Sequence, residues 1–500
     1  MCNNETGRTR IKRFMKLYNS LSRKVEEVVP FGSAQGKPSN YIGMYTCGPT
    51  VYSTATIANF RTYLLSDWLR RSLEYLGYQV KSVMNLTDVG HLTGDNEGDA
   101  DTGEDRLEKA SKKEGRSAWE IAASYSDEFL KHWRGFNLLM PDIVCKATEH
   151  IPEQIAMIQK LEAKGFTYGI SDGIYFDTVA FEKMGFKYGE LSNLDEMTKG
   201  ARLEPNPEKK NPRDFVLWKF SPTDTKRQME WESPWGVGFP GWHIECSAMA
   251  TKYLGDQFEI HVGGEDLKST HHPNEIAQTE GATGKHPFVK YWVHGAFILI
   301  DGGRMGKSLG NAYTQDDLIK RGYDPIALRY FYLSGHYRKQ INFTWDAFAS
   351  AASALSKLRG IYQSAKDDSS ERTSLSSEKM GKIEQYQNQF KSAIENDLNL
   401  PEALSTVWEV AKSNIPSGDK VDLLTQFDRV MGLDLIVDHR SLIIDEQIPE
   451  QVEKLIEQRE AVRKMRNYAE ADKIRADIEK LGYRVEDKGG RTRAIKMENG

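Results

Sequence analysis

The chain has 500 residues, too many for one ordinary core, so roughly two to four domains are expected. Apolar residues make up 39% and charged residues 28%, with a formal net charge of −5; this suits a soluble globular protein and neither advertises nor excludes a nucleic-acid partner, because a local basic face can coexist with an acidic total. Cys2, Cys47, Cys145 and Cys246 lie far apart with no CxxC pair and no apolar run approaches a membrane span, which argues against a disulfide framework and a membrane anchor and for a reducing, cytoplasmic location.

Residues 1–14 are polar and basic without an apolar core. They read as a disordered tail or an overlong start, with a weak transit-like segment as the alternative, and Met15 opens a sensible second start. The strand YIGMYTC at 41–47 runs into the small polar stretch TCGPTVYSTATIAN and then into a helix from about 57. That helix repeats apolar residues at Phe60, Leu64, Trp68 and at Leu65, Leu69, Leu73, and Gly77 is its stop. QVKSVMNL reads as the next strand and 105–136 as charged helix; alternation of this kind predicts a parallel sheet with crossover helices. The acidic stretch DNEGDADTGED at 95–105 lacks the bidentate Glu of a calcium loop and reads as a solvated loop.

From about 141 to 232 the pattern turns irregular: PEQIAMIQKLEAKGF looks helical, GIYFDT looks like a strand, and ARLEPNPEKKNPRD is a proline-broken loop. This reads as an insertion. Alternation resumes with GWHIECSAMATKYLG (helix), QFEIHVGG (strand), THHPNEIAQTEG (helix) and VKYWVHGAFILI (strand). After about 340 the chain is almost wholly helical, interrupted by the polar linker AKDDSSERTSLSSEK. A long charged helical stretch, IEQREAVRKMRNYAEADKIRADIEKLGY, leads to a hairpin turning at Gly489-Gly490. No internal repeat is evident.

Three features carry chemistry. Cys47, Cys246, His271 and Glu275 are soft-metal ligand types; His271 and Glu275 are four apart and share a helix face, and Cys246 lies on a helix that also carries His243. On spacing alone zinc competes with a bland reading, since a free Cys is more often a small core residue and a helical His a satisfied structural one. Second, DGGRMGKSLGN at 301–311 places Arg304 and Lys307 on a Gly-rich turn that can close over polyphosphate. It does not fit the Walker pattern, and a plain surface turn is the competing reading. Third, in VGGEDLKSTHH a tight Gly-Gly turn at a strand end precedes Asp266, whose carboxylate suits ribose hydroxyls.

Nearly end to end, the chain resembles the cysteinyl-tRNA synthetase family of class I aminoacyl-tRNA synthetases. The segments that carry the resemblance are MKLYNSLSRKVEEVVP, YTCGPTVY, NLTDVGHLT, ATEHIPEQI, GARLEPNPEKKNPRDFVLWK, PGWHIECSAM, HHPNEIAQ, RMGKSLGN and LRYFYLSGHYRKQINFT, all in the family's order. The resemblance implies an α/β fold: a Rossmann-like parallel-sheet catalytic domain over 15–140 and 235–340, a connective insertion over 141–234, an all-α bundle over 341–440 and a small anticodon-binding domain over 441–500. It also implies one Zn²⁺ per chain on Cys47, Cys246, His271 and Glu275, taking the substrate cysteine's sulfur at its open position. Zinc prefers thiolate to hydroxyl, so serine is rejected at a place where an apolar pocket discriminates poorly. Thr87 lies in the amino-acid pocket, with Trp242 and His243 as its walls. Thr56, Asn59, Arg304 and Lys307 face the phosphates of ATP, which comes with Mg²⁺; Ala58 packs on adenine and Asp266 binds ribose. The partners are L-cysteine, ATP and tRNA(Cys), with no membrane, and a cytoplasmic monomer is expected.

Two signatures depart from the family. A His-Ile-Gly-His-like motif reads Thr56-Ile57-Ala58-Asn59 here, although threonine at the first position also occurs in tryptophan-specific relatives. In the lysine loop Arg304 replaces the first Lys and Gly306 a Ser. The expected outcome is a working but slowed activator of cysteine. The alternatives are a paralogue with weakened adenylation acting as a zinc-dependent RNA-binding protein, a ligase joining cysteine to a small amine, and a structural zinc protein with a closed site.

Overall fold

The computed structural model describes residues 15–32, 38, 40–90, 92–93, 104–192, 206–222, 226–306, 309–368, 376–435, 450–464, 467–481, 483–488 and 491–496. The expectations for the tail at 1–14, the acidic loop up to residue 103, Lys307 and the Gly489-Gly490 turn fall outside those residues. The chain separates into two compact units, Met1–Leu435 and Ile436–Gly500.

The first unit is built on a five-stranded, wholly parallel sheet in the order Val289–Gly295, Phe258–Gly264, Tyr41–Thr46, Gln79–Leu86, Ile143–Lys146. Its strands are buried on both faces and read as near-continuous apolar runs. From Tyr41–Thr46 the chain first builds outward through Gln79–Leu86, then returns to add Phe258–Gly264 on the other side. The carboxyl ends of Tyr41–Thr46 and Phe258–Gly264 therefore flank a topological switch point, the usual ligand crevice of such a sheet. The helix Ile57–Tyr75 crosses over between Tyr41–Thr46 and Gln79–Leu86 and buries Phe60, Leu64, Leu65, Trp68 and Leu69, with Phe60 packed on Phe129 and Phe136 and Trp68 bonded to Met431 O. It ends at Leu76, and Gly77 turns the chain with φ 87, a value L side chains avoid.

The sheet extends past residue 140, where the sequence pattern predicts the insertion to begin: Ile143–Lys146 pairs in parallel with Gln79–Leu86. The four-stranded antiparallel sheet Gly238–Pro240, Phe215–Phe220, Gly173–Phe176, Thr167–Ile170 follows it in the chain. A second difference lies at VKYWVHGAFILI, which is two strands rather than one. Val289–Gly295 belongs to the parallel sheet, while Ile298–Ile300 pairs with Ile341–Phe343 in a separate sheet. The break has a polar cause: the Ala296 N–H donates to Tyr337 O at 2.9 Å, and Arg61 Nη1 donates to Phe297 O at 2.5 Å, so the backbone between the two halves is bonded outside either ladder.

The helices Trp345–Asp367, Ser377–Glu395, Leu400–Lys412 and Ser417–Met431 complete the first unit and share one continuous core with the signature helix Ile57–Tyr75. A buried ion pair pins this junction. Arg329 Nη2 donates to Asp67 Oδ2 at 2.7 Å, and its other donors reach Phe136 O, Asn137 O and Met431 O. Arg71 Nε shares the Asp67 carboxylate at 2.7 Å, and the Leu139 N–H takes its other oxygen at 2.7 Å. Burial works against the Asp67 charge, but the two guanidiniums and the backbone donor hold its carboxyl below the usual range. Burial also pulls Arg329 down, yet a guanidinium starts so high that it stays charged.

The second unit holds the helices Glu450–Lys464 and Tyr468–Lys480 and the antiparallel hairpin Tyr483–Lys488 with Arg491–Lys496. Val452, Ile478, Tyr483 and Val485 form its own small core.

Candidate active site

Three elements converge on the switch point. Cys47 follows the strand Tyr41–Thr46, Cys246 sits in the helix Trp242–Leu254, and His271 and Glu275 lie one turn apart in the helix His271–Thr283. Both helices bury nearly every residue over this stretch, so polar side chains here must find partners among themselves. Cys47 Sγ lies 4.0 Å from Cys246 Sγ and 3.6 Å from Glu275 Oε1, and His271 Nε2 lies 3.0 Å from Glu275 Oε1. The four ligand atoms are all within 4.8 Å of one another, and all four residues are buried.

This set fits zinc. Tetrahedral bonds of about 2.3 Å put two sulfurs about 3.8 Å apart, close to the observed 4.0 Å. The protonation pattern agrees. Burial disfavours the His271 imidazolium, but Glu275 and the Cys246 sulfur raise it to about 10. Burial likewise disfavours the Glu275 carboxylate, but His261 and His271 hold it at about 2. Burial, the Cys246 hydrogen bond and the Glu275 charge push the Cys47 thiol well above its ordinary value. Cys246 moves the other way, because hydrogen bonds from Cys47 and His271 outweigh its burial.

Behind the four ligands lies a layer the sequence reading missed. His261 Nε2 lies 3.0 Å from Glu275 Oε2, His272 Nε2 lies 3.5 Å from Cys47 Sγ, and His272 Nδ1 lies 2.8 Å from His294 Nε2. His294 Nδ1 in turn meets Ser20 Oγ at 2.8 Å. Burial keeps His272 and His294 far below their ordinary values, hence neutral. Cys47, His261, His272 and Glu275 form a second set of close ligand atoms sharing two members with the first. The adjacent His271-His272 pair was a usable signal; His261, alone in the apolar strand Phe258–Gly264, was not.

Trp242 and His243 border the cluster, and Thr87 is tied to Glu245, the residue before Cys246. Thr87 Oγ1 donates to the buried Glu245 Oε2 at 3.0 Å and accepts from Asn85 Nδ2 at 3.0 Å; Asn85 Oδ1 accepts from the Gly48 N–H at 2.8 Å. This chain ties the loop after Cys47 to the strand Gln79–Leu86 and to the thiol helix. The Trp242 ring lies tilted against His271 with centroids 4.3 Å apart, and His243 Nδ1 lies 2.9 Å from His271 Nδ1. Glu245 and Asn85 were not singled out from the sequence, where each reads as an isolated polar residue in an apolar run.

The residues expected from the sequence to face the nucleotide lie at the same sheet edge. Thr56 caps the helix Ile57–Tyr75 and forms a capping box with Asn59. The Ile57 N–H donates to Tyr313 O at 2.8 Å, and Thr56 and Thr314 form an antiparallel bridge, so the end of the lysine loop is fastened to the signature helix. Arg304 lies exposed on the short strand Gly303–Arg304. Asn311 closes the loop, accepting from the Gly306 N–H at 2.8 Å and donating to Arg304 O at 3.1 Å. Ala58 packs partly buried against the main core. Asp266 is exposed just past the end of Phe258–Gly264, with its carboxylate close over Gly264.

Residues 34–353 match the family model for the tRNA synthetases class I (C) catalytic domain, and residues 445–493 match the cysteinyl-tRNA ligase anticodon binding domain. The chain is 44% identical over 477 residues to cysteine–tRNA ligase 1 of Burkholderia lata, covering 95% of each. It is 41% identical to the cysteine–tRNA ligase of Treponema denticola, covering 96% of this chain and 99% of that one. Among solved structures, methionyl-tRNA synthetase of Mycobacterium tuberculosis with methionyl-adenylate aligns with a TM-score of 0.53 at 12% identity, over 79% of this chain and 90% of that one. At that identity the likeness speaks for the fold alone.

Proposed function

Because the chain belongs to the cysteine–tRNA ligase family of class I aminoacyl-tRNA synthetases, we propose that Cys47, Cys246, His271 and Glu275 hold a zinc ion that selects cysteine by its sulfur. The reaction is ATP-dependent: the cysteine carboxylate attacks the α-phosphorus, pyrophosphate leaves, and the terminal ribose of tRNA(Cys) then takes the cysteinyl group as AMP departs.

The observation that carries the metal reading is the buried tetrad, with two sulfurs 4.0 Å apart at the switch point. Bound there, zinc would lower the pKa of the substrate thiol and prefer it to a hydroxyl. The chain's own residues do the rest. His261 holds one oxygen of Glu275, leaving the other facing Cys47 and His271. Trp242 covers the His271 ring. Thr87, fixed by Asn85 and Glu245, borders the amino-acid pocket. Asn59, Arg304 and Lys307 serve the phosphates, with Thr56 capping the helix that carries Asn59; Ala58 serves the base and Asp266 the ribose. Such catalysis is mainly positioning and electrostatics.

Four protein ligands are also the count of a closed structural zinc, which keeps that second reading in play. Metal analysis with cysteine and serine binding tests the two. A closed site binds neither amino acid through the metal; the proposed site binds cysteine, rejects serine and loses the distinction when stripped. The same reading includes a monomer in the cytoplasm: one chain supplies the whole tetrad, and Cys47, Cys145 and Cys246 are free thiols. Among the described residues no helix is long and apolar enough to cross a membrane. The domain limits of the family, with the bundle ending near 440, are part of the proposal.

A further inference from the structure

Thr56 and Asn59 satisfy one another rather than standing as equivalent donors. The Thr56 backbone N–H donates to Asn59 Oδ1 at 2.9 Å, and the Thr56 hydroxyl donates to the same oxygen at 2.7 Å. In return the Asn59 N–H donates to Thr56 Oγ1 at 3.4 Å. A backbone N–H is only ever a donor, so the Asn59 atom facing it must be the carbonyl oxygen. That assignment turns the Asn59 NH₂ away from the cap. Asn59 is exposed, whereas Thr56 is 8% exposed with its hydroxyl hydrogen engaged.

The neighbouring backbone donors are also taken. The Ile57 N–H goes to Tyr313 O at 2.8 Å, and the Phe60 N–H goes to Thr56 O at 3.2 Å. Among the described residues the Ala58 N–H alone, of the first helical turn, has no partner. We propose that Thr56 is a positioning residue, and that the groups this helix start offers to the ATP phosphates are Asn59 Nδ2 and the Ala58 N–H. The threonine hydroxyl then does not stand in for the missing imidazole; it orients the amide that does. The proposal rests on the ATP reading given above.

The test is cysteine-dependent ATP–pyrophosphate exchange at saturating ATP, with melting curves, for wild type, Thr56→Ser, Thr56→Val, Asn59→Asp and the double variant Thr56→Val/Asn59→Asp. Aspartate keeps the acceptor for the Thr56 N–H and hydroxyl but has no amide donor. The expected result is a kcat loss of about 10²–10³ for Asn59→Asp, the range for one lost transition-state donor, with an unchanged melting temperature. Thr56→Ser should stay close to wild type, and Thr56→Val should lose less than Asn59→Asp. The double variant should be no worse than Asn59→Asp, because groups acting in series do not add. Multiplied losses in the double variant would make Thr56 a direct donor and overturn the proposal. A near-normal Asn59→Asp would reduce the pair to a cap and overturn it too. A silent wild type would instead bring down the ATP reading itself, and this proposal with it.

Discussion

At the thiol cluster every atom that would hold a metal is already in place and out of water, whereas at the nucleotide edge the helix start and the lysine loop meet through backbone bonds and leave Asn59, Arg304 and Asp266 exposed. The first site is set by packing: two buried helices and a strand end bring sulfurs, imidazole and carboxylate together with no freedom left. The second is set by caps and a loop, which tolerate change at single positions. The departures that the sequence resemblance implies, at Thr56, Ala58, Arg304 and Gly306, all fall in the second. A site whose ligands are fixed by core packing cannot trade one ligand type for another, while a phosphate edge with several donors can redistribute their roles.

The sharpest way to break this contrast is to remove one member from each side. Cys246→Ser or His271→Ala should release the metal and lower cysteine activation by more than about 100-fold, since losing even an outer partner of a metal ligand costs up to that; metal content and exchange rate read it together. Lys307→Ala should cost about 10²–10³ in kcat with the metal retained, separating the two halves. If it also emptied the metal site, the halves would not be independent.

Protonation sharpens the metal half further. His271 is raised to about 10 and the Cys47 thiol is raised as well, so loading zinc displaces protons from both. Zinc affinity should therefore fall as pH falls, and calorimetry in buffers of different ionisation enthalpy should show protons released on loading.

The junction between signature helix and bundle gives a stability effect distinct from either site. Asp67→Asn would leave Arg329 buried without its counter-ion and should cost about 3–5 kcal/mol by urea unfolding. The Asp67 carboxyl is depressed in the folded state, so its contribution is fully present above the unfolded value near 3.8 and is lost as pH falls below it toward the folded value. The smallest effect should be Ala58→Gly: removing one methyl where adenine is proposed to pack should change the ATP KM by about fourfold at most, the worth of one buried carbon, with kcat nearly unchanged.

Much of this was legible in the sequence, for reasons that differ by residue. The helix Ile57–Tyr75 was announced by its apolar spacing and by Gly77, and the tetrad by its ligand types once the family resemblance was recognised. His261, Asn85 and Glu245 were not, because a lone polar residue in an apolar strand or helix looks the same whether it faces a ligand or a structural partner. The strand break at Ala296-Phe297 was invisible because its cause, Arg61, lies over two hundred residues earlier in the chain. The role of Thr56 was hidden for the same kind of reason: its type suggests a donor, and only the hydrogen bonds to Asn59 show that the donor capacity is already used.

The most direct test of the central claim is X-ray absorption at the zinc edge of the loaded protein, before and after cysteine is added, with serine as the control. Two sulfurs, those of Cys47 and Cys246, surround the proposed ion at rest. The account predicts a third sulfur neighbour with cysteine and no change with serine. A sulfur count that stays the same with cysteine would contradict it and make the zinc a closed structural ion.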